Sequence, residues 1–239
     1  MPHRYFTEDI NDKSGTLHGE EAHHLMRVMR AKLGEELTVC NKKGTDYSCV
    51  ISGFAQDSVA LAVNSFAPCV SEASVMVTLY IGYPKQDKLE WIIQKAVELG
   101  AVRIVPFFSK YCVVTPKKEE DKNIRYNRIA LEAAKQSGRG IIPTVAMPLS
   151  FKDMVKEAAQ NDAALFCYEA GGASIHSRLH GAKTVCVITG SEGGFSKEEA
   201  AEAMAAGCTA ISLGTRILRC ETAPIAALAS VMTLTGDLQ

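Results

Sequence analysis

The sequence predicts a small β-barrel followed by a larger α/β domain with a mostly parallel sheet, on three observations. Between Glu36 and Phe66, short β-prone runs are broken by KKGTD and AQDS, strand and turn signals at the close spacing of a small barrel. After Val75 the rhythm changes to strands alternating with amphipathic helices, the pattern of a parallel sheet covered on both faces. The 239 residues, 47% hydrophobic and 22% charged, suit one or two compact domains. The stretch APCVSEAS at 67–74, small and polar with Pro68 as a breaker, reads as the linker, giving domains over 1–70 and 74–239.

Each element has its own signal. EEAHHLMRVMRAKLG places Leu25, Val28 and Met29 at helical offsets beside Arg27 and Arg30, a short helix with a basic edge ahead of the strands. VMVTLYI is a buried-strand run. Leu89, Ile92, Ile93, Ala96 and Val97 then follow the i, i+3, i+4, i+7, i+8 pattern of a helix that stops at Gly100. VRIVPFF is the next strand, and a helix over 120–138 turns Tyr126, Ile129, Ala130 and Ala133 inward and Arg125, Arg128 and Lys135 elsewhere. Helix FKDMVKEAAQ, strands AALFCY and TVCVITG, a helix from Ser196, strand TAISL and a last helix capped by Thr222 complete the chain.

Composition excludes several classes. The apolar runs fall far short of the roughly twenty residues a membrane span needs, and MPHRYFTEDIND has no apolar core for a signal peptide, so a cytoplasmic protein without a membrane partner is expected. Eight cysteines without a C-x-x-C pair read as reduced core residues. His176 and His180 have no third ligand near them in sequence, and no metal site is expected. Between Arg103 and Arg139, nine Lys or Arg stand against four acids, whereas residues 140–239 carry seven bases against ten acids. The basic stretch is the candidate polyanion face, with Arg125, Arg128 and Arg139 as its contacts and Arg27, Arg30, Lys42 and Lys43 as a second patch.

Two segments fall at C-terminal strand ends, where open α/β sheets place ligands. Gly190-Ser191-Glu192-Gly193-Gly194-Phe195-Ser196 has three glycines in five residues, and Ser196 with Glu199 forms an S-x-x-E capping box. A turn into a helix explains Ser196 and Glu199 but not the glycines or Glu192. Leu213-Gly214-Thr215-Arg216-Ile217-Leu218-Arg219-Cys220-Glu221-Thr222-Ala223-Pro224 sets two arginines and a glutamate beside a strand-end glycine. GYPKQDKLEW, after the first strand of the α/β part, lacks the G-x-G-x-x-G fingerprint, which disfavours a dinucleotide oxidoreductase.

GSEGGFS and LGTRILRCETA resemble the paired signatures of the SPOUT methyltransferases, in particular the bacterial family that methylates N3 of a uridine in 16S ribosomal RNA. HHLMRVMR, KLEWIIQKAVELG, EAAKQSGR followed by IIP, and the strand carrying LFCYE agree in order, so the resemblance covers nearly the whole chain. The sequence departs in Ser191 and Thr215, where the family usually shows proline, and in Cys220, where threonine is common. The resemblance implies a PUA-like barrel, a SPOUT α/β domain with a C-terminal trefoil knot, S-adenosylmethionine as cofactor, and a homodimer acting on 16S ribosomal RNA or the small ribosomal subunit. On that reading Gly190, Gly193, Gly194, Leu213, Gly214, Ile217, Leu218 and Ala223 line the cofactor. Arg216 and Arg219 stabilise charge on uracil or clamp a phosphate, and Glu192 and Glu221 either accept a proton or hold an arginine. The alternative is a ribosome-binding assembly factor that keeps the fold and catalyses nothing. The last helix, apolar around nearly its whole circumference from Pro224 to Leu234, is the expected dimer contact.

Overall fold

The computed structural model describes residues 4–85, 87–112 and 119–238. Contacts divide the chain into two units, residues 1–72 with 134–142, and residues 73–133 with 143–239.

The first unit contains β1 (Arg4–Phe6), β2 (Ser14–His18), α1 (Gly19–His23) running into a π-helical turn at His24–Val28, β3 (Glu36–Cys40), β4 (Thr45–Phe54) and β5 (Ser58–Pro68). The order is β1-β3-β4-β5-β2, antiparallel except between β1 and β3. Alternation along β4 turns Tyr47, Cys49 and Ile51 inward against Leu17, Leu25, Val39, Val59 and Leu61. Register shifts between Ser48 and Cys49 and between Ile51 and Gly53 add twist to the longest pair of strands. The expected barrel is a half-barrel: its edge strands β1 and β2 are linked through the Thr7 hydroxyl, which donates to Thr16 O, and the Thr16 N–H, which donates to Asp9 O.

Residues 134–142 rejoin this unit, and here one expectation is corrected. Arg139, read from sequence as an RNA contact, is 2% exposed and forms an ion pair with Glu72 at 2.7 Å. Glu72 also accepts the N–H groups of Gly140 and Ile141. A guanidinium withdrawn from water and forked onto a carboxylate is part of the fold, not of a polyanion face. The charge count could not distinguish it from its exposed neighbours.

In the second unit β6 (Met76–Gly82), α2 (Lys88–Glu98), β7 (Ala101–Phe108) and α3 (Glu119–Gln136, counted with this unit up to Ala133) come first. The short β8 (Thr144–Val145) and β9 (Leu149–Ser150), α4 (Phe151–Ala158), β10 (Ala163–Cys167), α5 (His176–Leu179), β11 (Thr184–Thr189), α6 (Lys197–Ala205), β12 (Thr209–Ile211) and α7 (Thr222–Thr235) follow. The strands form one parallel sheet of order β12-β10-β11-β6-β7-β8, with β9 also on β7. All strands run the same way, so the loops after β6, β7, β10, β11 and β12 share one edge. The central strands β6 and β11 are almost wholly buried, as their unbroken apolar runs require. After the edge strand β12, the chain returns as α7 to pack on β11, α2 and α5, burying Pro224, Ala227, Leu228, Val231 and Met232. Thr222 is not the cap of this helix: the residue before the first turn is Glu221, with no side-chain cap, and the N–H groups of Thr222 and Ala223 donate to Arg219 O. Among the described residues no helix is long and apolar enough to cross a membrane.

Candidate active site

The loop after β11 is anchored at its end and open at its middle. Ser196 Oγ accepts the Glu199 N–H and Glu199 Oε2 accepts the Ser196 N–H, so the capping box is complete. The other oxygen of Glu199 takes the Lys110 N–H at 2.7 Å from the loop after β7. Phe195 is sunk among Phe107, Phe151 and Phe166, its ring 4.3 Å from that of Phe166. Gly194 has φ +64, a region that favours glycine. The constraint on Gly193 is different: a Cβ there would lie 2.5 Å from Tyr111 Cβ and 3.1 Å from Tyr111 O. Gly82 was not singled out in sequence, yet a Cβ on it would lie 2.4 Å from Ser191 N. The strand-end glycine of GYPKQDKLEW therefore serves the passage of the neighbouring loop.

The loop after β12 is irregular through residues 212–219 and turns at Gly214, φ +100, with open space where a side chain would be. The two loops and the end of β10 enclose a cavity of about 540 Å³, within the usual range for small-molecule sites. Every residue assigned from sequence to cofactor or catalysis lines it: Gly190, Glu192, Gly193, Gly194, Leu213, Gly214, Arg216, Ile217, Leu218, Arg219, Glu221 and Ala223. Cys167, Tyr168 and Glu169 at the end of β10 also line it, as does Lys88 in the first turn of α2. Sequence reading missed the lysine because it sits more than a hundred residues before either loop. Arg216 and Arg219 are exposed, and Ile217 between them is 86% exposed.

Lys88 organises the charges. Its ammonium lies 3.0 Å from Glu192 Oε1 and 3.2 Å from Glu221 Oε2. Glu192 also accepts the Lys85 N–H, and the Cys220 thiol donates to Glu221. Partial burial pushes the Glu192 carboxyl up, but its own N–H, Lys88 and Lys85 outweigh this and hold it below the ordinary range. The Cys220 thiol is the main influence lowering Glu221, with help from Lys88. Lys88 is raised by its bonds to Glu192 and then Glu221, while burial pushes the Cys220 thiol up to about 12. At neutral pH Lys88 is therefore an ammonium set between two carboxylates, beside the neutral Cys220 thiol.

The expected RNA contacts other than Arg139 are at the surface. Arg27, Arg30, Lys42 and Lys43 are exposed on the first unit, Arg30 and Lys42 at positive φ, and Lys42 lies 3.6 Å from Glu8. On α3 of the second unit, Arg128 is exposed, while Arg125 pairs with Glu90 at 2.7 Å. Lys117 and Lys118 of the basic stretch lie outside the described residues.

Residues 71–232 match the RNA methyltransferase domain family, and residues 17–58 match its PUA domain. The chain is 34% identical to the ribosomal RNA small subunit methyltransferase E of Bacillus subtilis, over 95% of each protein. Its counterpart in Synechocystis is 33% identical over 95% of this chain and 75% of that protein. The chain belongs to the ribosomal RNA small subunit methyltransferase E family. Among solved structures, the Neisseria gonorrhoeae member bound to S-adenosyl methionine is 26% identical over 98% of both chains, with TM-score 0.86. A Legionella pneumophila methyltransferase in complex with the same cofactor is 27% identical over 98% of both chains, with TM-score 0.83. Membership agrees with the half-barrel followed by a parallel α/β sheet and with the absence of a dinucleotide fingerprint.

Proposed function

We propose that this chain transfers a methyl group from S-adenosylmethionine to N3 of a uridine in small-subunit ribosomal RNA, as a cytoplasmic homodimer. The observation that carries this reading is the convergence of both glycine-bearing strand-end loops on one cavity. The residues fit the cofactor: Phe195, Ile211, Leu213, Leu218 and Ala223 offer apolar surface, Gly194 and Gly214 leave backbone open to a ligand, and three carboxylates suit a cationic one. When bound, S-adenosylmethionine supplies an electrophilic methyl group on a sulfonium centre.

N3 of uracil becomes nucleophilic when its imide proton is lost, leaving charge on O2 and O4. Arg216 and Arg219, exposed on the rim, hold the base as this anion. Glu192 and Glu221, ionised and engaged by Lys88, are weak bases. Their part is to fix the loops, and the proton departs to solvent. Gly190, Gly193 and Gly194 shape the cofactor side, and Arg27, Arg30, Lys42, Lys43, Arg125 and Arg128 carry RNA phosphates. The return of the chain from edge strand β12 to α7 on β11 accords with the trefoil knot of the SPOUT resemblance. Because Ala227 and Leu228 are fully buried within the chain, the dimer face of α7 is its half-buried side, Ile225, Ala226, Ala229 and Ser230.

Calorimetry is expected to give one S-adenosylmethionine per chain, and radiolabel from that cofactor to enter small subunits at a uridine that mass mapping places at N3. Absence of binding and of label refutes the enzyme reading and leaves the assembly factor. Charge reversal at Arg128 is expected to weaken RNA binding and lower the salt slope by about one counterion. Reversal at Arg125 acts less, since Glu90 already neutralises it. An unchanged slope for Arg128→Glu makes this helix face merely solvated.

A further inference from the structure

We infer that Lys88 is a positioning residue whose ammonium, bridging Glu192 and Glu221, sets the separation of the two loops that form the cavity. The inference rests on the cofactor reading for its consequence, but its structural part stands without it. Among the described residues, no hydrogen bond runs directly between residues 190–196 and residues 212–221; the polar connection passes through Lys88. Lys88 is well placed for this role because it begins a helix fixed to the body of the unit, with Leu89, Ile92, Ile93, Ala96 and Val97 buried against β7 and α7.

The bridge is asymmetric. The loop after β11 has its own anchors in the buried Phe195, the capping box and the Lys85 N–H that Glu192 accepts. The loop after β12 has the buried Cys220, the turn at Gly214, the start of α7 and the contact of Glu221 with Lys88, and it is exposed from Gly214 to Ile217. Removing the ammonium therefore frees the second loop and leaves the first in place. Arg216 and Arg219 travel with that loop, so a cavity of the wrong width also misplaces the rim arginines.

The charged and titratable groups facing Lys88 are Glu192, Glu221 and the Cys220 thiol, which lies 3.7 Å from its Nζ. Without the ammonium, two carboxylates face each other across the cavity with no cation between them, and protonating one relieves the repulsion.

The test compares wild type, Lys88→Arg, Lys88→Met, Glu221→Gln and the Lys88→Met/Glu221→Gln double variant by S-adenosylmethionine calorimetry, with amide exchange on the ligand-free protein. Lys88→Met is expected to weaken binding about tenfold or more, the order of effect of losing the charge-assisted hydrogen bonds that hold the second loop. Exchange should rise over 212–221 and not over 190–196, Lys88→Arg should restore most of the affinity, and the double variant should lose no more than Lys88→Met alone. Unchanged exchange over 212–221 in Lys88→Met overturns the bridge whatever the ligand result. Faster exchange with wild-type affinity overturns its role in the cavity. A wild type that binds no S-adenosylmethionine refutes the cofactor reading instead, and exchange still decides the bridge.

Discussion

Replacing Gly193 by valine is expected to abolish S-adenosylmethionine binding, a loss of at least about a hundredfold, in a protein that remains folded. The Cβ of any other residue would lie 2.5 Å from Tyr111 Cβ and 3.1 Å from Tyr111 O, and neither atom is the far end of a flexible side chain. Tyr111 cannot easily yield, because the preceding N–H, of Lys110, is held by Glu199 and the Cys112 N–H closes a turn onto Ser109 O. The glycine loop must move instead, and it forms one wall of the cavity. Gly194→Ala provides the graded control. Space is open there, but the residue sits at φ +64, so the cost is strain of about 1 kcal/mol and a modest weakening. Fold is checked by circular dichroism and affinity by calorimetry. Wild-type affinity in Gly193→Val makes this loop no more than a helix entry.

Sequence reading reached the elements that rest on local periodicity and the site residues that lie together along the chain. The apolar stripe from Leu89 to Val97, the capping box at Ser196 and the runs of β6 and β11 each declare a helix, a helix start or a buried strand within ten residues. The twelve candidate cofactor and catalytic residues come from two contiguous segments, the loop after β11 and the loop after β12 with the first turn of α7, and a parallel sheet brings such strand ends to one edge. What escaped depends on contacts distant in sequence. Lys88 finds its partners 104 residues away at Glu192 and farther at Glu221, and Gly82 is glycine because of Ser191. The thirty-odd residues around α3 form one basic stretch in sequence, yet they hold three different situations: Arg128 in solvent, Arg125 on Glu90 and Arg139 buried on Glu72. Charge counts register a guanidinium but not whether water reaches it.

Arg139→Ala separates these situations by its effect on stability. The substitution leaves Glu72, whose side chain is 13% exposed, without its cation, and removing one partner of a buried pair typically costs about 3–5 kcal/mol. In a unit of this size each kcal/mol lowers the melting temperature by roughly 4–8 °C, so a fall of more than about 10 °C is expected for the first unit. Burial pushes the Glu72 carboxyl up, but the bonds from Arg139, Ile141 and Gly140 outweigh it and hold the folded value below the ordinary one. The wild-type contribution is therefore present above the unfolded value, near 4.3, and lost only as pH falls through the lower folded value. Without Arg139 the burial effect gains weight and the folded value rises. Once it exceeds the unfolded value the sign reverses, and the variant loses stability as pH rises above the unfolded value. Thermal melts at pH 5, 6 and 7, followed by a probe in the half-barrel, measure both effects. A variant that melts with wild type at pH 7 but binds RNA weakly would return Arg139 to the polyanion face and sink its assignment to the fold.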